Sequence, residues 1–195
     1  MNTYIYQCVA YKEVNGIDCK YINKDQSMEF DYHVDRLLES NEKTTDMLEE
    51  LLGNPLSIKV LCQRYEIDKE IEDITLYRES VMIDPQKNLI VSQNFVRLFP
   101  KYIPRSFYYN MIWKRKGIGH YLNQLNIKTS RLITSCGFTK DAEMTNHFQK
   151  SVRILFHSKN LPIPFKKYDI YFDNFAVPGF SIIEYFNPEI FSGKN

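Results

Sequence analysis

The chain is poor in glycine, with seven in 195 residues. They form neither a Walker loop nor a Rossmann fingerprint, which argues against a glycine-rich nucleotide-binding fold. Cysteine is scarce as well. Cys8, Cys19, Cys62 and Cys136 include no CxxC pair, so a zinc site built on these thiols is not expected. Three of the four lie in apolar, strand-like runs, as small buried hydrophobes in a reducing compartment would. Cys8 and Cys19 flank a predicted hairpin, where a bridge is the alternative. Charge of one sign is also missing: the formal net charge is +1, which gives no field to attract nucleic acid. The short basic run Lys114–Lys116 reads as a solvated helix end. No apolar run approaches membrane-spanning length. The N-terminal MNTYIYQCVAYKE has neither a basic leader nor a long apolar stretch, so the expected location is the cytoplasm, with no membrane and no nucleic-acid partner. His33, His120, His147 and His157 are scattered without metal-ligand spacing, and no G-x-S-x-G elbow is present.

What is abundant is aromatic: fourteen tyrosines and thirteen phenylalanines within a 44% apolar composition, enough for a sizeable core packed around large rings. The length suits one domain with appendages. Residues Tyr4–Ile22 read as a hairpin around Asn15-Gly16. Met28–Ser40 reads as a helix with Phe30, Val34, Leu37 and Leu38 on one side and Asp31, Asp35 and Glu39 on the other. Thr44-Thr45-Asp46 opens a second helix, Met47–Leu52, with Asp46 and Glu49 as a capping box and Gly53 as its stop. Pro55–Tyr65 is a predicted strand with Leu56, Ile58, Val60 and Cys62 on one face, and Ile67–Asp73 a charged connection. Asp73–Asp84 and Leu89–Leu98 are an antiparallel pair about the turn Asp84-Pro85-Gln86-Lys87-Asn88. After Pro100 and Pro104, Arg105–Lys114 and His120–Leu125 have helical spacing on either side of Gly117-Ile118-Gly119. Thr129–Phe138, Lys150–Ser158 and Phe180–Phe186 are further strands. Asn160–Pro178, apolar and proline-rich, reads as an ordered excursion. The expected class is α+β: a single antiparallel sheet of about six strands with helices on one face.

Two charged residues interrupt apolar strand faces. In Asp73–Asp84, Arg78 falls in phase with Ile74, Leu76, Ser80 and Met82, and in the last strand Glu184 falls in phase with Phe180, Ile182 and Phe186. A buried guanidinium costs several kcal/mol unless an anion meets it. Two accounts fit. The two charges pair in the core, or a strand is out of phase by one residue; or they mark a ligand pocket. In a pocket the Arg fork suits a carboxylate, and a carboxyl in apolar surroundings keeps its proton to higher pH. The glycines of Lys116-Gly117-Ile118-Gly119, ahead of a short helix, allow close backbone approach to a ligand.

The order of these segments resembles the chorismate lyase family, in its shorter, divergent branch. The likeness is carried by Tyr77-Arg78-Glu79-Ser80-Val81-Met82, by Lys116-Gly117-Ile118-Gly119-His120-Tyr121-Leu122, and by Ile182-Ile183-Glu184-Tyr185-Phe186. Thr44-Thr45 followed by Leu48-Glu49 stands where the family's first pocket helix begins. The likeness covers Thr44–Pro188. Gly117 replaces a family proline, and Asn160–Pro178 replaces a short turn, as a lid or an added surface layer. The resemblance implies a single domain with residues 1–43 as an N-terminal extension and 160–178 as an insertion. It implies a monomeric enzyme that splits chorismate into 4-hydroxybenzoate and pyruvate without metal or cofactor. Arg78 would then hold a ligand carboxylate, the Ile118 amide beside Gly119 another oxygen, and Glu184 would act at the departing oxygen. Thr44 or Thr45 would close the pocket, and Arg131 would be an additional basic contact. Because transcription regulators use the same fold for effector domains, a non-catalytic binder of aromatic acids is the alternative, as is a lyase for a related enolpyruvyl substrate. The N-terminal hairpin, unlike a helix-turn-helix, speaks against a regulator.

Overall fold

The computed structural model describes residues 32–68, 73–114, 117–158 and 161–191. The predicted hairpin Tyr4–Ile22, the Cys8 and Cys19 pair and the start of the first predicted helix lie outside the described residues.

Helix α1 spans Tyr32–Glu39 and α2 spans Thr44–Leu52. In α1, Val34, Leu37 and Leu38 recur at helical spacing and are buried, while Asp35 and Glu39 face outward. Helix α2 stops where the sequence predicts, at Gly53 (φ 67°), whose N–H donates to the Glu49 carbonyl at 2.9 Å. Its start differs. The helix begins at Thr44 with Lys43 at the cap and no side-chain cap bond. The Glu49 carboxylate instead accepts from the Leu56 N–H at 2.7 Å, which ties the helix to the strand after it.

Six strands follow: β1 Ser57–Asp68, β2 Asp73–Asp84, β3 Leu89–Leu98, β4 Thr129–Thr139, β5 Ile163–Phe172 and β6 Phe180–Phe186. Helices α3 (Arg105–Lys114) and α4 (Ile118–Gln124) connect β3 to β4. The sheet order is β1-β2-β3-β6-β5-β4, and every neighbouring pair is antiparallel. Two three-stranded meanders are thus joined along β3 and β6. This is the expected α+β class, one antiparallel sheet with the helices on one face.

On the helix side the core divides in two. Around α3 and α4, Phe107, Met111, Tyr121 and Leu122 pack on Val96, Tyr168, Phe172 and Phe180. Phe107 meets Tyr121, Phe172 and Phe180 edge-on, with ring centroids 5.6–6.3 Å apart, and such pairs add about 0.5–1.5 kcal/mol each beyond area burial. Around α1 and α2, Val34, Leu38 and Leu48 pack on Met82, Cys136, Phe138 and Phe186.

Three expectations need correction. Lys150–Ser158 is not a strand of the sheet: only Ser151 makes a ladder bridge, to Thr145. Its alternation is nonetheless physical. Val152, Ile154 and Phe156 turn inward and join Met144 and Phe148 in covering Tyr77, Phe95, Ile183 and Tyr185 on the sheet face away from the helices. The segment lies across the sheet and not within it. Second, the stretch read as an excursion, Asn160–Pro178, contains strand β5, paired on both sides. Third, a bulge between Val60 and Cys62 sets Cys62 opposite Glu79, where Val60 is opposite Ser80, so Cys62 leaves the face of Ile58 and Val60. The covering segment packs on Tyr77 of β2, and Thr75 and Val81 on the same face are also buried, so that strand is buried on both faces.

Candidate ligand-binding site

Residues directly opposite each other in neighbouring strands share a face. One such row crosses the whole sheet: Val60, Ser80, Asn94, Glu184, Lys166 and Cys136. The next row contains Gln63, Arg78, Val96, Ile182, Tyr168 and Ile133. Both face the helices. The polar centre of these rows lies between the two apolar clusters, where the helices leave a cavity of about 300 Å³. That is the lower end of the range for small-molecule sites.

Arg78 lines the cavity and is 2% exposed. Its Nη1 lies 3.4 Å from the Met111 sulfur, a weak acceptor. Burial lowers the guanidinium pKa to about 10, with Tyr121 partly countering it, and the group remains cationic at neutral pH. Glu184, 4% exposed, lines the same cavity. Thr44 donates to its Oε2 at 2.7 Å, and the Tyr168 hydroxyl is bonded to it as well. Burial raises the Glu184 pKa, while Lys166, Thr44, Arg131 and Tyr168 pull it back. The hydroxyl of Thr44 that would ordinarily satisfy a helix end is therefore committed to the carboxyl group.

Lys166 stands opposite Glu184 in the sheet, is 2% exposed, and donates to the carbonyls of Leu37 and Ser40 at 2.8 and 2.9 Å. It caps the C-terminal end of α1. Burial brings its pKa down to about 8, against the pull of Glu184. At the mouth, Lys43 donates to the Asn123 side chain, and Arg131 donates to the Glu42 carbonyl at 2.6 Å with its guanidinium over the Tyr168 ring. Lys43, Asn123 and Arg131 also line an outer recess of about 820 Å³.

All the residues singled out from the sequence, Arg78, Glu184, Thr44, Thr45, Ile118, Gly119 and Arg131, line this one cavity. Gly117 lines it too, and a Cβ there would run into the Ile58 Cδ1, so that side chain would have to shift. Sequence reasoning passed over Ser80 as a site residue, and it missed Asn94, Tyr168 and Lys166. Lys166 and Tyr168 share a phase with the apolar Ile170 and Phe172, the same signal that marked Arg78. The prolines and adjacent lysines, which make the stretch read as an excursion, hide that signal. Among the described residues no group of three or more His, Cys, Asp or Glu side chains is placed to hold a metal ion, and no helix is long and apolar enough to cross a membrane.

No family model matches the chain, and no curated protein does. Solved structures do. PhnF from Mycobacterium smegmatis superposes with a TM-score of 0.53 at 10% identity, over 79% of this chain and 67% of that one. The effector domain of PhnF alone gives 0.51 at 11% identity, over 78% and 92%. A GntR-family transcriptional regulator from Bacillus cereus aligns at 0.48 and 12% identity, over 72% and 96%. The chain shares the fold of the PhnF effector domain. At these identities the likeness concerns the fold, which is the chorismate lyase-like α+β arrangement expected from the sequence.

Proposed function

We propose that the cavity binds a small cyclic carboxylic acid of the chorismate or hydroxybenzoate type, and that the chain serves as an effector-binding domain that does not turn its ligand over. The observation that carries this reading is Arg78, a permanent cation held 2% exposed in the wall of a cavity of small-molecule size. Its fork suits an anionic ligand in the cavity, which would add a charge-assisted partner. The shared fold of the PhnF effector domain supports a binding role. So does the tethering of Glu184 by Thr44 and Tyr168, which suits a fixed recognition group. Thr45, Ile118, Gly119 and Arg131 complete the lining that would surround the ligand.

One observation favours a second reading, the lyase that converts chorismate to 4-hydroxybenzoate and pyruvate. Burial keeps the Glu184 proton to higher pH than usual, and that acid would hydrogen-bond or protonate the oxygen leaving the ring. Aromatisation supplies the driving force. The protein's part would be to hold a reactive conformer, exclude water and stabilise charge, without metal or cofactor.

Incubating the pure protein with chorismate, while following pyruvate and the ultraviolet band of 4-hydroxybenzoate, separates the two. Tight binding of 4-hydroxybenzoate without turnover is the expected result; release of both products establishes the lyase; neither binding nor turnover overturns both. Arg78→Ala should weaken binding by about 1.5–3 kcal/mol, the worth of a charge-assisted hydrogen bond, measured by calorimetry. Unchanged affinity would remove Arg78 from the site.

A further inference from the structure

We infer that Asn94 sets the specificity of the cavity: its side-chain oxygen accepts a hydrogen bond from the ligand, which therefore carries a hydroxyl or amino group in addition to its carboxylate. This rests on the reading of the cavity as an acid-binding site and narrows the class of acid.

Asn94 lies at the middle of β3 and is 6% exposed. Among the described residues its Oδ1 has no hydrogen-bond partner. Of the other buried side-chain atoms in that condition, those of Gln63 and Ser92 belong to residues that do not line the cavity. A buried acceptor left without a donor is costly, and a native fold keeps one where something else supplies the donor. Directly opposite Asn94 on β6 is Glu184, fixed by Thr44, and a carboxylate has acceptor capacity beyond that bond. Two acceptors thus stand side by side in the cavity wall. Arg78 occupies the diagonal position on the neighbouring strand, since it is opposite Val96 while Ser80 is opposite Asn94. The backbone positions of diagonal neighbours are about 7–8 Å apart, so the Arg78 and Asn94 side chains line the same part of the cavity. The complementary ligand has an anion at one end, on Arg78, and a proton donor at the other, on Asn94 and Glu184. An acid lacking that donor leaves the Asn94 acceptor bare, and sites of this kind reject such analogues strongly.

The test uses the full chain and its Asn94→Leu variant, titrated calorimetrically with benzoate, 4-hydroxybenzoate and 4-aminobenzoate, together with thermal unfolding of both proteins without ligand. The wild type should prefer the two donor-bearing acids over benzoate, and in Asn94→Leu that ratio should fall about tenfold. Without ligand, Asn94→Leu should melt at a higher temperature than the wild type, because it removes an orphaned acceptor from the interior. A preference that survives in Asn94→Leu, or a lower melting temperature for it, overturns the inference. Equal binding of all three acids to the wild type also overturns it while leaving the acid site standing. Failure of the wild type to bind any of them overturns the inference and the acid site together.

Discussion

His147 lies on the sheet face away from the cavity, with its Nε2 3.1 Å from the Phe95 carbonyl oxygen. Burial lowers its pKa from 6.5 to about 4; the bond to Phe95 works against that, and the cations of Arg97 and Lys167 add to it. The folded protein therefore resists binding a proton that the unfolded chain accepts below pH 6.5. Stability is lost as pH falls from 6.5 towards 4, by up to about 3 kcal/mol. His147→Gln keeps a donor for the carbonyl and cannot titrate, so urea unfolding at pH 7, 5 and 4 should show a shallower acid loss than the wild type. An unchanged slope would assign the loss to other groups. Glu184 works in the opposite sense. Its raised pKa gives a contribution that is complete below the unfolded value and disappears as pH rises through the folded one.

At the scale of elements, the segment over the far face is held by a side chain and not by a strand. Gln93, fully buried on β3, accepts from the Leu155 N–H at 3.0 Å and donates to the Arg153 carbonyl at 3.3 Å and to Glu79 at 2.8 Å. Its amide thus bonds the backbone much as a neighbouring strand would. Gln93→Leu removes the partners of that N–H and that carbonyl, at about 0.5–1.5 kcal/mol each, or about 1–3 kcal/mol together. Chemical denaturation should show a loss in that range; a loss under 1 kcal/mol would mean that water replaces the amide. This arrangement explains where the sequence was legible. Five strands, the helix stop at Gly53 and the inward phase of Arg78 and Glu184 follow from periodicity and turn chemistry, which are local. Periodicity also reports correctly that Val152, Ile154 and Phe156 face inward. It cannot say whether the backbone beside them pairs with another strand or with Gln93, because that partner is remote in sequence. The Cys62 bulge and the charged β5 escaped for related reasons: one added residue inverts a phase, and two adjacent lysines with two prolines conceal a strand whose neighbours lie elsewhere.

For the whole molecule, the decisive feature is that among the described residues the backbone ladder joining the two meanders runs along β3 and β6. Arg78 and Asn94 belong to the first half, Tyr168 and Glu184 to the second. A chain cut after residue 160 retains β1–β4 and loses both of the latter. It should bind no 4-hydroxybenzoate in calorimetry and show no cooperative unfolding transition; a truncated chain that binds would relocate the site to the first half. The seam pairs Ser92 with Phe186 and Leu98 with Phe180, partners far apart along the chain, and closures of that kind come late and slowly. During folding the β3 edge of the Arg78 half therefore stays uncovered until β6 docks on it. The cavity wall is complete only once β6 has docked, and the interval before that is when a second copy, offering the same open edge, competes with the chain's own β6.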